Sequence, residues 1–400
     1  MATNKEQNKL NVPHLRFPEF EGEWEKHRLS EYLDFKNGLN PDSKRFGKGI
    51  KFISVMDILN NPVITYDCIR ASVQATDAEI SSFSVENGDI LFQRSSETLE
   101  DVGRANVYID DKVAVFGGFV IRGKKKANYD PLFFRYLLSS PYARKRIIPM
   151  GAGAQHFNIG QEGLSKVSLN FPSIEEQTKI ASLLHLLDER IATQSKLIED
   201  LKKLKSAIIE MEYSHMTKNI SPIGDFIEQT SKRNKDKAIH NVLSVSNRQG
   251  FIQQSEQFEN RNVASDDTSN YKIVEKDDFA FNPARINVGS IARLTLFERG
   301  IVSPMYICFH TGDSLLPEYL DYYFESKQFF TEIQKRLEGS VRQCLSFEGL
   351  CNIPLCVPAI EGQQQIAKRL SAIAQEIMLE TDFLELLQKQ KKFLLYQMFT

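Results

Sequence analysis

A chain of 400 residues with 42% hydrophobic, 26% charged and 10% aromatic residues has room for two or more cored domains and excludes a disordered or fibrous protein. Its 50 Lys and Arg against 52 Asp and Glu leave a formal net charge of −2, which excludes a uniformly basic polyanion binder but not local basic patches. The opening MATNKEQNKL is polar and the longest apolar run, VAVFGGFVI from Val113, is far short of a membrane span, so the cytoplasm is the expected location.

Taken in order, short β-branched and aromatic runs read as strands: Lys51 to Val55, Asp89 to Phe92, Val113 to Phe116 and Phe119 to Ile121, separated by Asn-Gly, Gly-Gly and Asn-Pro breaks. Pro131 to Leu138 then reads as a helix with proline in its first turn, which Ser140-Pro141 ends or interrupts. Pro172 to Tyr213 carries a stripe at alternating spacings of four and three: Ile180, Leu184, Leu187, Ile191, Gln194, Ile198, Leu201, Lys205 and Ile208. Such a seam predicts one long helix of roughly 40 residues, on the order of 60 Å, that pairs with a particular partner.

The chain then repeats itself. When Pro172 is laid on Pro358, Val357 to Phe399 carries the same stripe: Ile366, Leu370, Ile373, Ile377, Glu380, Leu384, Leu387, Lys391 and Leu394. The polar interruptions, Gln194/Glu380 and Lys205/Lys391, fall in the same two slots. Upstream, Gly153 to Leu164 aligns with Gly339 to Leu350 at the same offset, and Val85 to Phe92 aligns with Val274 to Phe281 at a slightly longer one. Pro317 to Phe324 is a second proline-led helix. The expectation is a mixed α/β protein of two tandem domains, each followed by a long helix, with the helices packed on each other as an antiparallel coiled coil. Glu175, Glu176 and Lys179 would lie on the outer face of the first helix.

Catalytic motifs are scarce. There is no GxxxxGK[ST] loop and no HExxH, the seven histidines are scattered, and no Ser/His/Asp set can be picked out. The five cysteines, Cys68, Cys308, Cys344, Cys351 and Cys356, form no CxxC pair and are expected as small core residues. Met150-Gly-Ala-Gly153 leads into Gln155 to Asn158 rather than into a helix, so it is a turn, matched by Leu337-Glu-Gly339. Asn282-Pro-Ala-Arg285 resembles the Asn-Pro-Pro-aromatic motif of adenine methyltransferases but lacks the second proline and the aromatic that would stack a flipped base.

Polar loops beside the repeated strands are better candidates. Gln93, Arg94, Ser95, Ser96 and Arg104 lie in one loop of the first domain, and Gln155, His156 and Asn158 in another. The corresponding loops of the second domain hold Asn282, Arg285 and Asn287, and Arg342 and Gln343. Amide and guanidinium groups read base edges through paired hydrogen bonds, and loops that diverge between repeated flanks fit a protein whose halves read different targets. Basic clusters at Arg122 to Lys126, Arg144 to Arg146, Lys202 to Lys205, Lys232 to Lys237 and Lys389 to Lys392 are candidates for phosphate contact, although such clusters are more often solvated faces.

With these features assembled, the chain resembles the specificity subunit (HsdS) of type I restriction-modification enzymes. The resemblance rests on Val12-Pro-His-Leu-Arg-Phe-Pro-Glu-Phe-Glu-Gly-Glu-Trp24, Gly88-Asp-Ile-Leu-Phe92, Gly163-Leu164 leading to Phe171-Pro-Ser-Ile-Glu-Glu-Gln177, and the closing Gln388 to Phe399. It departs where Asp277-Asp278 replaces Gly88-Asp89, which touches only the local turn.

Membership implies a first target recognition domain at 1–172, a central helix at 173–215, a second recognition domain at 216–358 and a distal helix at 359–400. It also implies double-stranded DNA as ligand, with each domain reading one half of a bipartite target. Two methyltransferase (HsdM) and two motor/nuclease (HsdR) subunits are the implied partners, with the helices carrying Ile180, Leu184, Leu187, Ile191, Ile366, Leu370, Ile373 and Ile377 as their docking element. S-adenosylmethionine, ATP and Mg are implied for those partners, leaving this chain non-catalytic and without a cofactor or metal. A coiled-coil scaffold without DNA readout and a stand-alone methyltransferase or nuclease are the other classes to be tested.

Overall fold

The structure, a computed structural model, describes residues 11–214, 220–247, 249–254, 267–339 and 343–399. It is mixed α/β, as expected, and divides into two compact units, Met1–Ser195 with Asp382–Thr400, and Lys196–Thr381. Two long helices, Ile174–Ser214 and Ile360–Gln397, each contribute a part to both units.

Unit 1 contains an antiparallel sheet ordered Leu33–Asn37, Val120–Lys125, Ile90–Gln93, Ala105–Val107. A second sheet runs Ser72–Val73, Phe46–Ile53, Ala114–Phe116, Ser84–Val85, with a parallel pair at its centre. Glu25–Arg28 pairs with Ser168–Phe171. Unit 2 repeats this plan strand for strand. Its antiparallel sheet runs Ile227–Thr230, Ile307–Thr311, Phe279–Phe281, Ile291–Arg293. Its mixed sheet runs Gly250–Gln253, Val242–Ser246, Arg299–Val302, Lys272–Glu275, again with a central parallel pair, and Ile220–Pro222 pairs with Pro354–Cys356. The sequence repeat is thus a repeat of topology.

Local chemistry explains where the elements stop. The strand expected to reach Val55 ends at Ile53, because the Asp57 carboxylate accepts the Ser54 N–H at 2.7 Å and starts the helix Val55–Asn60. Ser140 ends Pro131–Ser139 and caps Pro141–Ile147, its hydroxyl accepting from the Ala143 N–H, so the proline begins a second helix.

The departure at Asp277-Asp278 leaves the turn unchanged. Gly88 sits at φ +92° and Asp277 at φ +69°, both left-handed. The next residue, Asp89 or Asp278, accepts the backbone N–H of Glu86 at 3.0 Å or Glu275 at 2.8 Å. Burial raises both of these carboxyl groups above the ordinary range. Asp277 is compensated by an ion pair to Arg293 at 2.9 Å. Gly88→Ala, with no such partner, is expected to destabilise unit 1 by about 1–2 kcal/mol in a urea titration, from the left-handed φ alone.

The seam faces inward and its direction is defined. In unit 1, Ile180, Leu184 and Leu187 share a core with Leu387, Leu394, Met398 and Phe399. Asp188 pairs with Lys391 and also accepts the Tyr136 hydroxyl at 2.9 Å. In unit 2, Ile209 and Tyr213 share a core with Ile366 and Leu370, and Glu212 pairs with Arg369 at 2.6 Å. Early residues of one helix meet late residues of the other in each unit, so the pairing is antiparallel.

The repeated lysine slot also has a use. Lys391 ties the helix pair to Asp188 and Tyr136, and Lys205 reaches Glu325 at 2.8 Å and lies 5.1 Å from the Tyr322 ring centroid. Tyr213 packs on Tyr319 at 5.0 Å, and Phe399, its counterpart in the repeat, packs on Phe133 at 5.6 Å.

The outer-face expectation is corrected at the start of the first helix. Glu176 is buried, accepting from the Arg16 guanidinium through two 2.8 Å bonds and from the Trp24 indole N–H at 3.2 Å. Lys179 pairs with Glu19 beside the Phe17 ring. Residues 11–24 therefore cover Glu176, while Glu175 and Lys179 stay exposed as expected.

Candidate nucleic-acid interface

In unit 1 the loop joining Ile90–Gln93 to Ala105–Val107 meets the loop before Gly160. Ser95–Ser96 pairs with Phe157–Asn158, and the Ser95 hydroxyl donates to the Asn158 carboxamide oxygen. The Ile159 N–H donates to the Arg94 carbonyl at 2.9 Å. Two loops far apart in the chain thus form one surface.

Unit 2 uses the same device. The Leu345 N–H donates to the Pro283 carbonyl at 3.0 Å, which binds the loop around Gln343 to the loop 282–290. Bridges Ala152↔Asn158 and Glu338↔Cys344 close the second loop in each unit, at corresponding positions of the repeat. Gly153 (φ +144°) and Gly339 (φ +106°) make the turn, and a Cβ on Gly153 would lie 1.9 Å from the His156 carbonyl oxygen.

Residues 21–203 match the family described as type I restriction modification DNA specificity domain. The chain is 24% identical over 97% of its length, and 95% of the relative's, to the putative type I restriction enzyme MjaX specificity subunit of Methanocaldococcus jannaschii. It is 22% identical over 98% of its length, and 95% of the relative's, to the MjaVIII specificity subunit of the same organism. The crystal structure of the type I restriction-modification S subunit from M. genitalium shares the fold, with a TM-score of 0.60 at 16% identity over 97% of this chain and 99% of that one. The first part of the chain thus matches the type I specificity-domain family, and nearly the whole chain is similar to type I specificity subunits.

Within the two units the candidate residues sort by exposure. Gln155, His156 and Asn158 are exposed at the loop tip, and Ser95 and Ser96 are half-buried beside them. Arg94 is half-buried, its guanidinium donating to the Gly118 carbonyl at 3.2 Å. Arg104 is exposed and paired with Asp101. Gln93 is corrected: it is 5% exposed and its amide donates to the Ser95 carbonyl at 2.8 Å, so it shapes the loop from within.

In unit 2, Arg285 and Gln343 are exposed and Asn287 is half-buried. The Asn282 carboxamide oxygen accepts the Ala284 N–H at 3.1 Å, fixing the turn that presents Arg285. Arg342 lies outside the described residues.

One arginine from each of two basic clusters is taken up inside unit 1. Arg122 is buried, donating to the Ser84 carbonyl over the Phe116 ring. Arg144 donates to the Glu100 and Val102 carbonyls, and burial pulls its guanidinium down to about 10. Lys124, Lys203, Lys232, Lys237 and Lys389 pair with Glu86, Glu199, Glu275, Asp267 and Glu385. Lys203, Lys232, Lys237 and Lys389 stay exposed despite these pairs, and Lys126, Lys145, Lys202, Lys235 and Lys392 are exposed as well.

The helix positions from Ile180 to Ile377 lie in the seam expected between the two helices. Ile180, Leu184, Leu187, Ile366 and Leu370 are buried, and Ile191, Ile373 and Ile377 half-buried, in the chain's own seam. Large apolar side chains the helices leave exposed include Leu197, Leu204 and Met211 on one and Leu379, Leu386 and Phe393 on the other, at intervals of seven, with Leu186, Met378 and Tyr396 outside that spacing. Among the described residues no group of three or more His, Cys, Asp or Glu side chains is arranged to hold a metal ion, and no helix is long and apolar enough to cross a membrane.

Proposed function

We propose that this chain reads a bipartite sequence in double-stranded DNA, unit 1 taking one half-site and unit 2 the other, and that it performs no catalysis itself. The observation that carries this reading is the pair of hydrogen-bonded polar loops built alike in both units but lined by different side chains: Arg94, Ser95, Gln155, His156 and Asn158 in one, Asn282, Arg285, Asn287 and Gln343 in the other. Side chains of this kind pair with the major-groove edges of bases. Lys126, Lys145 and Lys235 are available for phosphates, which position a protein without specifying sequence.

The exposed heptad-spaced residues of the helices, from Leu197 to Met211 and from Leu379 to Phe393, support docking of two methyltransferase subunits, which in turn recruit two motor/nuclease subunits. S-adenosylmethionine, ATP and Mg belong to those subunits in this reading.

Methylation mapping of DNA from cells expressing the complete system supplies the two half-sites. Exchanging residues 15–171 for a relative's first domain is then expected to change one half-site and leave the other intact. A change in both would defeat the modular reading, and failure of the assembled complex to shift any duplex in a gel would favour a pure scaffold. On a finer scale, Arg285→Ala is expected to weaken discrimination at one position of the second half-site by about 1–3 kcal/mol, read as competing affinities for single-base variants of the duplex.

A further inference from the structure

Phe119 is 68% exposed at the turn between Ala114–Phe116 and Val120–Lys125. Its carbonyl accepts the Arg94 N–H at 2.9 Å, so it stands directly beside the loop that would read DNA. The turn is closely packed: a Cβ on Gly117 would lie 2.7 Å from the Phe52 ring, and one on Gly118 would overlap the Asn40 side chain. Under Phe119 opens an apolar recess of about 470 Å³ lined by Phe46, Phe52, Val55, Met56 and Ser95. The ring rims this recess and yet stays largely in water.

A single exposed phenylalanine would need no explanation. The second unit supplies one that does. Met305, the counterpart of Phe119 in the repeat, is 62% exposed at the equivalent turn between Arg299–Val302 and Ile307–Thr311. The register matches as well, Ile121 opposite Phe92 and Ile307 opposite Phe281. Met305 Sδ lies 3.8 Å from the Asn282 amide nitrogen, again at the candidate reading loop. The two turns, Gly-Gly-Phe and Ser-Pro-Met, share no residue type, but both hold out a large apolar side chain at the same place.

We propose that Phe119 and Met305 are unstacking wedges, one in each unit, that enter a base step of the half-site read by the neighbouring loop. Phe and Met are among the side chains that proteins insert between base pairs, and the unstacking cost depends on the step entered, so each wedge adds sequence preference where no base edge is read. This rests on the DNA-reading function proposed above.

The test uses the chain assembled with its methyltransferase subunits and duplexes carrying 2-aminopurine at successive positions of the two mapped half-sites other than the adenines that are methylated, which the methyltransferase subunits unstack themselves. Wild type is expected to raise the fluorescence at one step in each half-site. Phe119→Ala should abolish the rise in the first half-site only and weaken binding about tenfold, and Met305→Ala should do the same in the second. Both side chains are exposed, so unchanged thermal unfolding separates a lost contact from a lost fold. Tight binding with no fluorescence rise at any position would overturn the wedge and leave sequence reading intact. Variants that bind DNA as wild type but fail to assemble with the methyltransferase subunits would reassign the turns to protein contact. A complete complex that binds no duplex would overturn the DNA reading itself.

Discussion

Glu176→Ala is expected to lower the stability of unit 1 by about 3–5 kcal/mol, the cost of removing one partner from a buried ion pair. The Glu176 carboxylate is 1% exposed and holds two donors from residues far away in sequence, Arg16 through two guanidinium nitrogens and Trp24 through its indole N–H. It keeps the Arg16 guanidinium above its ordinary pKa, the signature of a favourable pair. Without it, Arg16 retains only its bonds to the Glu21 and Gly22 carbonyls, and the Trp24 N–H is left in the core beside Phe133 and Phe399. Trp24 is the single tryptophan of the chain, so its fluorescence during urea denaturation reports unit 1 alone. A midpoint lowered by about 1 M or more is expected. Glu361→Ala, at an exposed position at the start of the other long helix, should change stability by less than about 0.5 kcal/mol. Equal midpoints for the two variants would show that the buried carboxylate contributes nothing special.

We propose that the helices also set the spacer between the two half-sites, and a change in their length is the second large effect. Because they pair antiparallel within each unit, lengthening one alone would put its seam out of register with its partner. Four residues inserted after both Leu197 and Phe383, which correspond in the repeat, keep the two lengths matched. Four helical residues add roughly 6 Å, on the order of two base pairs of spacer between the half-sites. Methylation mapping of the double-insertion strain should therefore show both half-sites unchanged and the gap between them longer. An unchanged gap would mean that the spacer is set elsewhere than in the helices.

Much of this was legible because the chain describes itself twice. The stripe from Ile180 to Ile208 and its copy from Ile366 to Leu394 announce two paired helices, since apolar side chains at alternating fours and threes can be buried only along one face. The polar loops were found by a contrast, with side chains that differ between flanks that repeat. Phe119 and Met305 were not, although they too correspond in the repeat, because an apolar residue in a turn next to a strand reads as part of the strand until its exposure is known. Gln93 shows the converse error. A polar residue at the end of a buried strand looks like the first residue of the loop, and only the sheet register shows that its side chain points inward.

Charge was the least legible property. Lys and Arg clusters signalled basic patches, but a cluster in sequence says nothing of which carboxylate or carbonyl a long side chain reaches. Arg122, Arg144 and Lys391 are consumed by the Ser84 carbonyl, the Val102 carbonyl and the Asp188 carboxylate, all distant in the chain.

The sequence by itself determined the duplication, the two long helices, the mixed α/β class and the polar loops worth examining, all of which rest on local periodicity or on comparing the chain with itself. Only the tertiary structure decided that the helices run antiparallel, that residues 11–24 close over Glu176, and that in each unit two separate loops join, with a hydrogen bond to the carbonyl of Arg94 or Pro283 common to both. Those features depend on contacts between residues far apart in the chain. Such contacts are chosen by the geometry of burial and by which polar groups find partners there, and neither leaves a periodic trace in the sequence.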